Sequence, residues 1–386
     1  MRVAERRRSS LSGPRLRNHA QMLSAGIDTA LWVARRYTSS TMDDIDGTIL
    51  RALQVSPRAT FRQLGEVAGI SEQTAARRYQ AMRRAGVMKV VGIIKPSVRG
   101  QSEWVARVRC RPDRMEPLAS SLARRRDVAF AYVASGGAEI ICLIRAPLGV
   151  AGEEAIAKTF PARASVTDVR IDLVLHAFDP GHPASRWTGF GGHLSDRDRD
   201  LLASAAAAVV DDLPEDPEQD DPSSDAPAGG ARLTADDAVL IDALTQDGRR
   251  AHRELARICG WTVGRVRRRL RTLERGGALF YDVEILPDRL GFGLSATLWL
   301  TVTPSALDQV GTELAAHDEV AFAAAISGEW NLMVSVICRD TARFHDYLRT
   351  RVAAIGGVTG YSVSIRMRRL KQNASLVVQG RLIQPV

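Results

Sequence analysis

Two stretches of this chain, Ser71-Glu-Gln-Thr-Ala-Ala-Arg-Arg-Tyr-Gln-Ala-Met-Arg-Arg-Ala-Gly86 and Thr262-Val-Gly-Arg-Val-Arg-Arg-Arg-Leu-Arg-Thr-Leu-Glu-Arg-Gly-Gly277, read as one piece of structure written twice. Each opens on a hydroxyl residue suited to cap a helix by accepting a backbone N–H of its first turn. Apolar residues come next at helical spacing: Ala75, Tyr79 and Met82 in the first, Val266, Leu270 and Leu273 in the second. Gly86 and Gly277 end them, glycine being the residue that enters the left-handed conformation past a helix with least strain.

Shorter helical patterns lie upstream of each stretch. Asp43 to Val55 places Ile45, Ile49, Leu50 and Leu53 on one face and is stopped by Pro57. Thr60 to Ala68 turns Phe61, Leu64, Val67 and Ala68 inward, and Gly69-Ile70 makes a tight turn into the capped helix. The second copy repeats this with Ala235–Leu244, Ala251–Ile258 and the turn at Gly260. Two short helices, a glycine turn and a third helix form a helix-turn-helix.

The third helices carry the chemistry on their other faces. The first offers Gln73, Thr74, Arg77, Arg78, Arg83 and Arg84; the second offers Arg265, Arg267, Arg268, Arg269, Arg271 and Arg275, with only Glu72 and Glu274 to set against them. Like charges four residues apart repel by a few tenths of a kcal/mol, so a merely solvated helix usually mixes signs. A phosphate backbone relieves that repulsion, and arginine also reads guanine edges bidentately. Double-stranded DNA is therefore the expected partner, met by Ser71, Gln73, Thr74, Arg77, Arg78 and Arg83 in one copy and Thr262, Arg265, Arg267, Arg268, Arg269 and Arg271 in the other.

The duplication runs well beyond these helices. At a shift of 191 residues, Leu53, Leu64, Gly69, Gly86, Pro96 and Gly100 fall on Leu244, Leu255, Gly260, Gly277, Pro287 and Gly291. At 192, Asp127-Val-Ala-Phe130 falls on Glu319-Val-Ala-Phe322, and Val166, Val169, Ile171 and Leu173 fall on Val358, Tyr361, Val363 and Ile365. After each third helix comes an alternating segment, Val87–Lys95 or Ala278–Leu286, suited to a wing or a connecting strand. The remainder of copy one reads strand, helix, strand, strand, helix, strand: Ser102–Cys110, Arg114–Arg125, Val128–Ala134, Ile140–Arg145, Gly152–Phe160 and Val166–His176. The second copy gives Ser295–Val302, Ser305–His317, Val320–Ile326, Asn331–Cys338, Thr341–Ala354 and Tyr361–Met367. This βαββαβ order is ferredoxin-like. Its helices cover one sheet face only, so the other apolar face requires a partner.

The expected fold class is α+β, with two winged helix-turn-helix domains each followed by a ferredoxin-like domain. The expected boundaries are a basic tail at 1–41, heads at 42–100 and 234–291, ferredoxin-like domains at 101–177 and 292–370, a linker at 178–233 and a C-terminal tail at 371–386. For the arginine-rich tail two readings stay open: a phosphate-binding arm, or sequence upstream of a true start at Met42. The linker is read as a solvated tether, acidic and proline-rich from Asp211 to Asp225, with a short helix at Leu194–Val210 capped by Ser195. A minor reading has the acidic run compete with DNA for the basic helices.

Composition agrees with a soluble globular chain. Of 386 residues 45% are hydrophobic and 25% charged, the formal net charge is +9, and no apolar run approaches the roughly 18 residues of a membrane span. Cys110, Cys142, Cys259 and Cys338 stand far apart with no metal-ligand spacing. No Walker loop, nucleophile elbow or zinc-protease motif occurs.

A helix-turn-helix head, a connecting strand and a βαββαβ unit in this order resemble the Lrp/AsnC, or feast/famine, regulators, over both copies. The resemblance rests on Asp44-Ile-Asp46 opening the first helix, Gly69-Ile-Ser71 entering the third, Arg78 and Arg269 within the third helices, and Gly86 and Gly277 after them. Gly328-Glu-Trp-Asn331 is similar to the family's Gly-Asp-Tyr-Asp turn. It implies a sequence-specific transcription regulator of the bacterial cytoplasm, associated with the nucleoid and without cofactor, metal or catalytic residue. It also implies an amino acid or small metabolite as effector, sensed near Ser327, Gly328, Glu329, Trp330 and Asn331. The matching turn of copy one, Ser135-Gly-Gly-Ala-Glu139, lacks the aromatic residue, so copy two is the better candidate for sensing.

Family members usually carry one unit and dimerise, so the fused copies are expected to form an internal pseudo-dimer, with room for a higher homo-oligomer. Its operator would be an imperfect repeat with half-sites about 34 Å apart. Two other classes compete. Siroheme decarboxylases share this architecture and use histidine near the central strands, where this chain reads Val128-Ala-Phe-Ala-Tyr-Val133 and Val320-Ala-Phe-Ala-Ala-Ala325. Only His176, His317 and His345 lie in these domains, at non-matching places. An architectural protein that compacts DNA without an effector is the other.

Overall fold

The computed structural model describes residues 42–159, 166–178, 187–211 and 232–384. The basic tail 1–41 and the core of the acidic run, 212–225, lie outside them. In the first head, α1 (Asp44–Val55), α2 (Phe61–Val67) and α3 (Glu72–Arg84) form the expected helix-turn-helix. The second head has α7 (Asp237–Gln246), α8 (His252–Cys259) and α9 (Val263–Arg275). Ser71 and Thr262 cap the third helices, their hydroxyls accepting from the backbone N–H of Thr74 and Arg265 at 3.2 and 3.1 Å.

The strands that leave the heads are connecting strands rather than wings. β1 (Met88–Ile94) and β6 (Leu279–Ile285) pair antiparallel with each other, one from each copy. Val91 lies opposite Asp282, its own counterpart at a shift of 191, so a pseudo-two-fold axis passes between them.

The ferredoxin-like domains comprise β2 (Ser102–Cys110), α4 (Met115–Arg124), β3 (Val128–Ala134), β4 (Glu139–Ala146), α5 (Val150–Thr159) and β5 (Val166–Ala177), then β7 (Leu294–Val302), α10 (Leu307–Ala315), β8 (Val320–Ile326), β9 (Leu332–Cys338), α11 (Thr341–Tyr347) and β10 (Val358–Gln372). β5 pairs with β8 and β10 pairs with β3, joining two four-stranded sheets into a closed ring. These junctions are equivalent: Val174 opposite Ile326 matches Arg366 opposite Ala134 at a shift of 192. Closure removes the exposed sheet edges that would otherwise invite pairing with other chains. The apolar faces left uncovered by helices meet each other, Val105, Tyr132 and Ile141 of one copy against Trp299, Ile326 and Met333 of the other. Each copy keeps a second core beneath its own helices.

Two segments depart from expectation. The linker is no free tether over 187–194, because its aromatic residues find partners in both copies, Arg51 over Phe190 in the first and Phe292 against Trp187 in the second. Trp187 is 2% exposed and packs on Phe292 with ring centroids 4.6 Å apart, while Phe190 and Leu194 are buried beside it. Gln54 and Arg51 of α1 donate to the carbonyls of Trp187 and Gly192, and Thr188 donates to Asp318 at 2.6 Å. The segment is a strap tying head one to the second ferredoxin-like domain. It continues into α6 (Asp196–Asp211), capped by Ser195 as expected. The C-terminal tail is ordered as well: β10 runs on through Gln372 and turns into the hairpin β11 (Ser375–Val378) and β12 (Arg381–Ile383).

Candidate functional site

Each head is locked by an arginine of its third helix reaching an aspartate of its first. Arg269 donates to Asp237 through Nε at 2.7 Å, and the pair is secluded, the side chains 12% and 0% exposed. Burial alone would raise the Asp237 carboxyl, but the hydrogen bonds from Arg269 and from the Thr234 backbone N–H hold it below the usual carboxylate range. The equivalent Arg78 donates to Asp46 at 2.9 Å and to Asp43 at 2.7 Å. There burial wins and the Asp46 carboxyl is raised.

The expected DNA face therefore divides. Arg78 and Arg269 are not free outward cations: they face their own heads and set the angle of the third helix. Arg83 reaches across to Asp247 of the other head at 2.6 Å. Arg265 pairs with the exposed Asp236 and lies over the Trp261 ring. Arg77, Arg267 and Arg268 are exposed and Arg271 half-buried, and none of the four has an ion-pair partner among the described residues. Ser71, Gln73 and Thr262 are exposed at the start of each third helix, and Thr74 is half-buried beside them. Sequence spacing marks a residue as lying off the core face. It does not tell a cation in water from one folded back onto a neighbouring helix, which here required knowing where Asp46 and Asp237 sit.

The heads grip each other by contacts invisible to periodicity. Arg58 donates to the carbonyls of Gly248 and Arg250, and Arg249 donates to those of Pro57 and Ala59. These are the same contacts exchanged, since Arg58 and Arg249 are 191 apart, as is each carbonyl from its counterpart. Such an isologous arrangement is how two-fold dimers bind. Arg249 also stacks over Phe61 and Tyr79, at 5.2 and 5.0 Å, and Arg58 over Tyr281 at 5.5 Å. The only available signal was a shared arginine following each first helix.

Head one carries a further clamp. The backbone N–H of Leu382 donates to the Gly86 carbonyl at 2.9 Å, and Arg381 donates to the Arg84 carbonyl. A Cβ on Gly86 would stand 2.8 Å from that of Arg381, whereas one on Gly277 would meet none of the described residues within 4 Å.

The turn expected to sense an effector lies where the copies join. Ser327 exchanges hydrogen bonds with the Leu173 backbone, and Glu329 pairs with Arg170. A side chain on Gly328 would collide with Asp172. Asn331 bonds both the N–H and the carbonyl of Val302, at 2.9 and 2.7 Å, and Trp330 packs against the core between the sheets. The turn thus brings the five expected residues together and spends most of their polar groups on holding β5 and the end of β7. In copy one the position of Asn331 is Glu139, buried, bound by Arg107 at 3.0 Å and by Ser364 at 3.0 Å.

The AsnC-type helix-turn-helix model matches residues 42–83 and 233–274, one match in each head. The Lrp/AsnC ligand-binding-domain model matches residues 295–376. The chain belongs to the Lrp/AsnC family. It is 29% identical over 136 residues to the HTH-type transcriptional regulator LrpA of Pyrococcus abyssi, 35% of this chain and 96% of that one. It is 26% identical over 143 residues to the HTH-type transcriptional regulator Ptr1 of Methanocaldococcus jannaschii, 37% and 97% of the two chains. In each case a single-unit regulator spans about a third of this Lrp/AsnC tandem. The crystal structure of the siroheme decarboxylase NirDL covers 89% of this chain and 95% of its own, with a TM-score of 0.54 at 14% identity, a likeness of fold. Among the described residues no helix is long and apolar enough to cross a membrane.

Proposed function

We propose that the chain is a sequence-specific transcription regulator in which both heads bind one DNA duplex and the second ferredoxin-like domain answers to an amino acid or related metabolite. The observation that carries this is the reciprocal Arg58/Arg249 grip, which holds two AsnC-type heads about a pseudo-two-fold axis with Arg77, Arg267 and Arg268 in solvent. Helix-turn-helix dimers read two half-sites about one helical turn apart, roughly 34 Å. Ser71, Gln73 and Thr74, and Thr262 in the other head, lie where N-terminal residues of a recognition helix meet bases and phosphates. Arg78, Arg83, Arg265 and Arg269 position the helices, and Arg271 joins the cationic face. The effector turn is Ser327–Asn331, chosen because it bridges the two copies. Binding there would shift β5 against β8, and with them the connecting strands.

The test is selection of bound sequences from random duplex DNA by the full chain, followed by footprinting. Two dissimilar half-sites protected together support the proposal; uniform protection without sequence preference would favour an architectural protein. The whole-chain likeness to NirDL makes decarboxylation the second reading. The ferredoxin-like histidines fit it poorly: His317 is spent on the Tyr347 hydroxyl at 3.1 Å and its pKa is lowered by burial, and His176 packs edge-on against Phe178. Anaerobic incubation with siroheme, followed by absorbance and product mass, decides between them.

A further inference from the structure

We propose that the space between the two sheets is a binding site for a small aromatic carboxylate, separate from the Ser327–Asn331 turn and independent of the regulatory reading. A cavity of about 350 Å³ opens there, within the range of small-molecule sites, roughly 300–1,000 Å³. Phe130, Tyr132, Phe322, Met333 and Trp187 line it, from both copies and the strap, and the Trp187 indole Nε1 is buried with no hydrogen-bond partner among the described residues. Two arginines of β10, Arg366 and Arg369, complete the wall.

These half-buried arginines lack the carboxylate partner that a cation drawn out of water ordinarily has. Arg366 lies over the Tyr132 ring at 4.2 Å and, among the described residues, donates only to the Thr297 hydroxyl, at 3.1 and 3.2 Å. Arg369 donates to Gln372 at 2.5 Å. Among the described residues neither has a carboxylate within 4 Å, and withdrawing an unpaired charge even partly from water is unfavourable. The other charged groups on the wall are largely occupied, Arg145 with Glu103 and Asp282 with Asn373, while Lys95 stands at the connecting strand. Burial lowers both guanidiniums, Arg369 to about 10, so each would be stabilised by an arriving anion.

The duplication supplies an internal control. At a shift of 192 the counterparts of Arg366 and Arg369 are Val174 and Ala177, at the equivalent junction of β5 with β8. The fold closes this junction without cations, so closing the ring does not require the arginines. Two adjacent guanidiniums facing aromatic walls suit a carboxylate held bidentately with an aromatic body behind it.

Isothermal titration of the full chain with phenylpyruvate is the experiment, with uncharged 3-phenylpropanamide as control. Phenylpyruvate is expected to bind and the amide to bind at least tenfold more weakly. Arg366→Gln with Arg369→Gln should weaken phenylpyruvate tenfold or more, Arg369→Lys less. Phe322→Trp keeps every charge and narrows the space, so it should also lose binding while melting as the parent does, which covers the case in which the double variant misfolds. No heat with phenylpyruvate, equal affinity for the amide, or unchanged affinity in both the double and the Phe322→Trp variants would overturn the proposal. Failure to bind DNA would sink the regulator reading and leave this one standing.

Discussion

The two heads share one fold and one internal lock, yet the molecule treats them differently. Head one is held on three sides: by the strap on α1, by the hairpin on the end of α3, and by the Arg83–Asp247 bridge. Among the described residues head two has no counterpart to the hairpin at Gly277 and presents more unpaired arginine, Arg267, Arg268 and Arg271 against Arg77. The two halves follow one plan, but head one is the more braced and head two the more strongly cationic. The contrast can be broken or sharpened by measurement.

The largest effect is expected at the locks. Arg269→Ala leaves Asp237 as an uncompensated buried charge and should cost about 3–5 kcal/mol of stability. Arg78→Ala should cost less, about 1–3 kcal/mol, because Asp46 already has a raised pKa and neutralises more readily. Denaturant unfolding of both variants measures the difference, and equal losses would show the two locks to be interchangeable.

DNA affinity comes next. Arg267→Ala with Arg268→Ala should weaken operator binding on the order of tenfold to a hundredfold and reduce the salt slope by about 2, against about 1 for Arg77→Ala. Anisotropy titrations across a salt series read both. Should Arg77→Ala match the double variant, head two is not the stronger reader.

A pH effect is expected from the connecting strands. Glu284 of β6 is buried under the hairpin, where Ser375 and the Ala374 N–H bind it, and faces Lys89. Burial pushes its carboxyl up to about 7. A carboxyl whose folded pKa lies above its unfolded value supports the fold at low pH, and that support is lost as pH rises from about 4.5 to about 7. The loss is bounded by roughly 3.4 kcal/mol, at about 1.36 kcal/mol per pH unit. Its counterpart in copy one is Ile93, so Glu284→Gln alone should flatten the unfolding free energy over that range. An unchanged pH profile in Glu284→Gln would place the titration elsewhere. The smallest effect is at the caps: Ser71→Ala and Thr262→Ala should each cost about 1 kcal/mol, and nearly the same amount, since their geometries match.

The sequence revealed most of this architecture because repeats and periodicity are local properties. Helix caps at Ser71 and Thr262, the glycines after α3 and α9, and the strands of both ferredoxin-like domains lie within a residue or two of where spacing puts them, except that β10 begins three residues early, at Val358, and runs on into the hairpin. What it hid depends on chain segments far apart. Trp187 and Phe190 sit in a proline- and glycine-rich stretch that reads as linker until Phe292 and α1 arrive beside them. Arg78 and Arg269 count as outward on a helical wheel, and only the packing of α1 against α3 and α7 against α9 turns them inward. Arg366 and Arg369 are three apart, which on a regular strand means opposite faces, and they line one space only because the register of β10 against β3 slips between Arg366 and Arg368.

The pseudo-two-fold axis between Val91 and Asp282 has one more consequence. A homodimer with true symmetry is the same either way round on a DNA site, so it cannot distinguish upstream from downstream. This molecule has a head one and a head two fixed in a single polypeptide, with different cations and different bracing. Bound to dissimilar half-sites it points in one direction, and any surface it offers to a polymerase or a neighbouring regulator is offered on one flank of the operator.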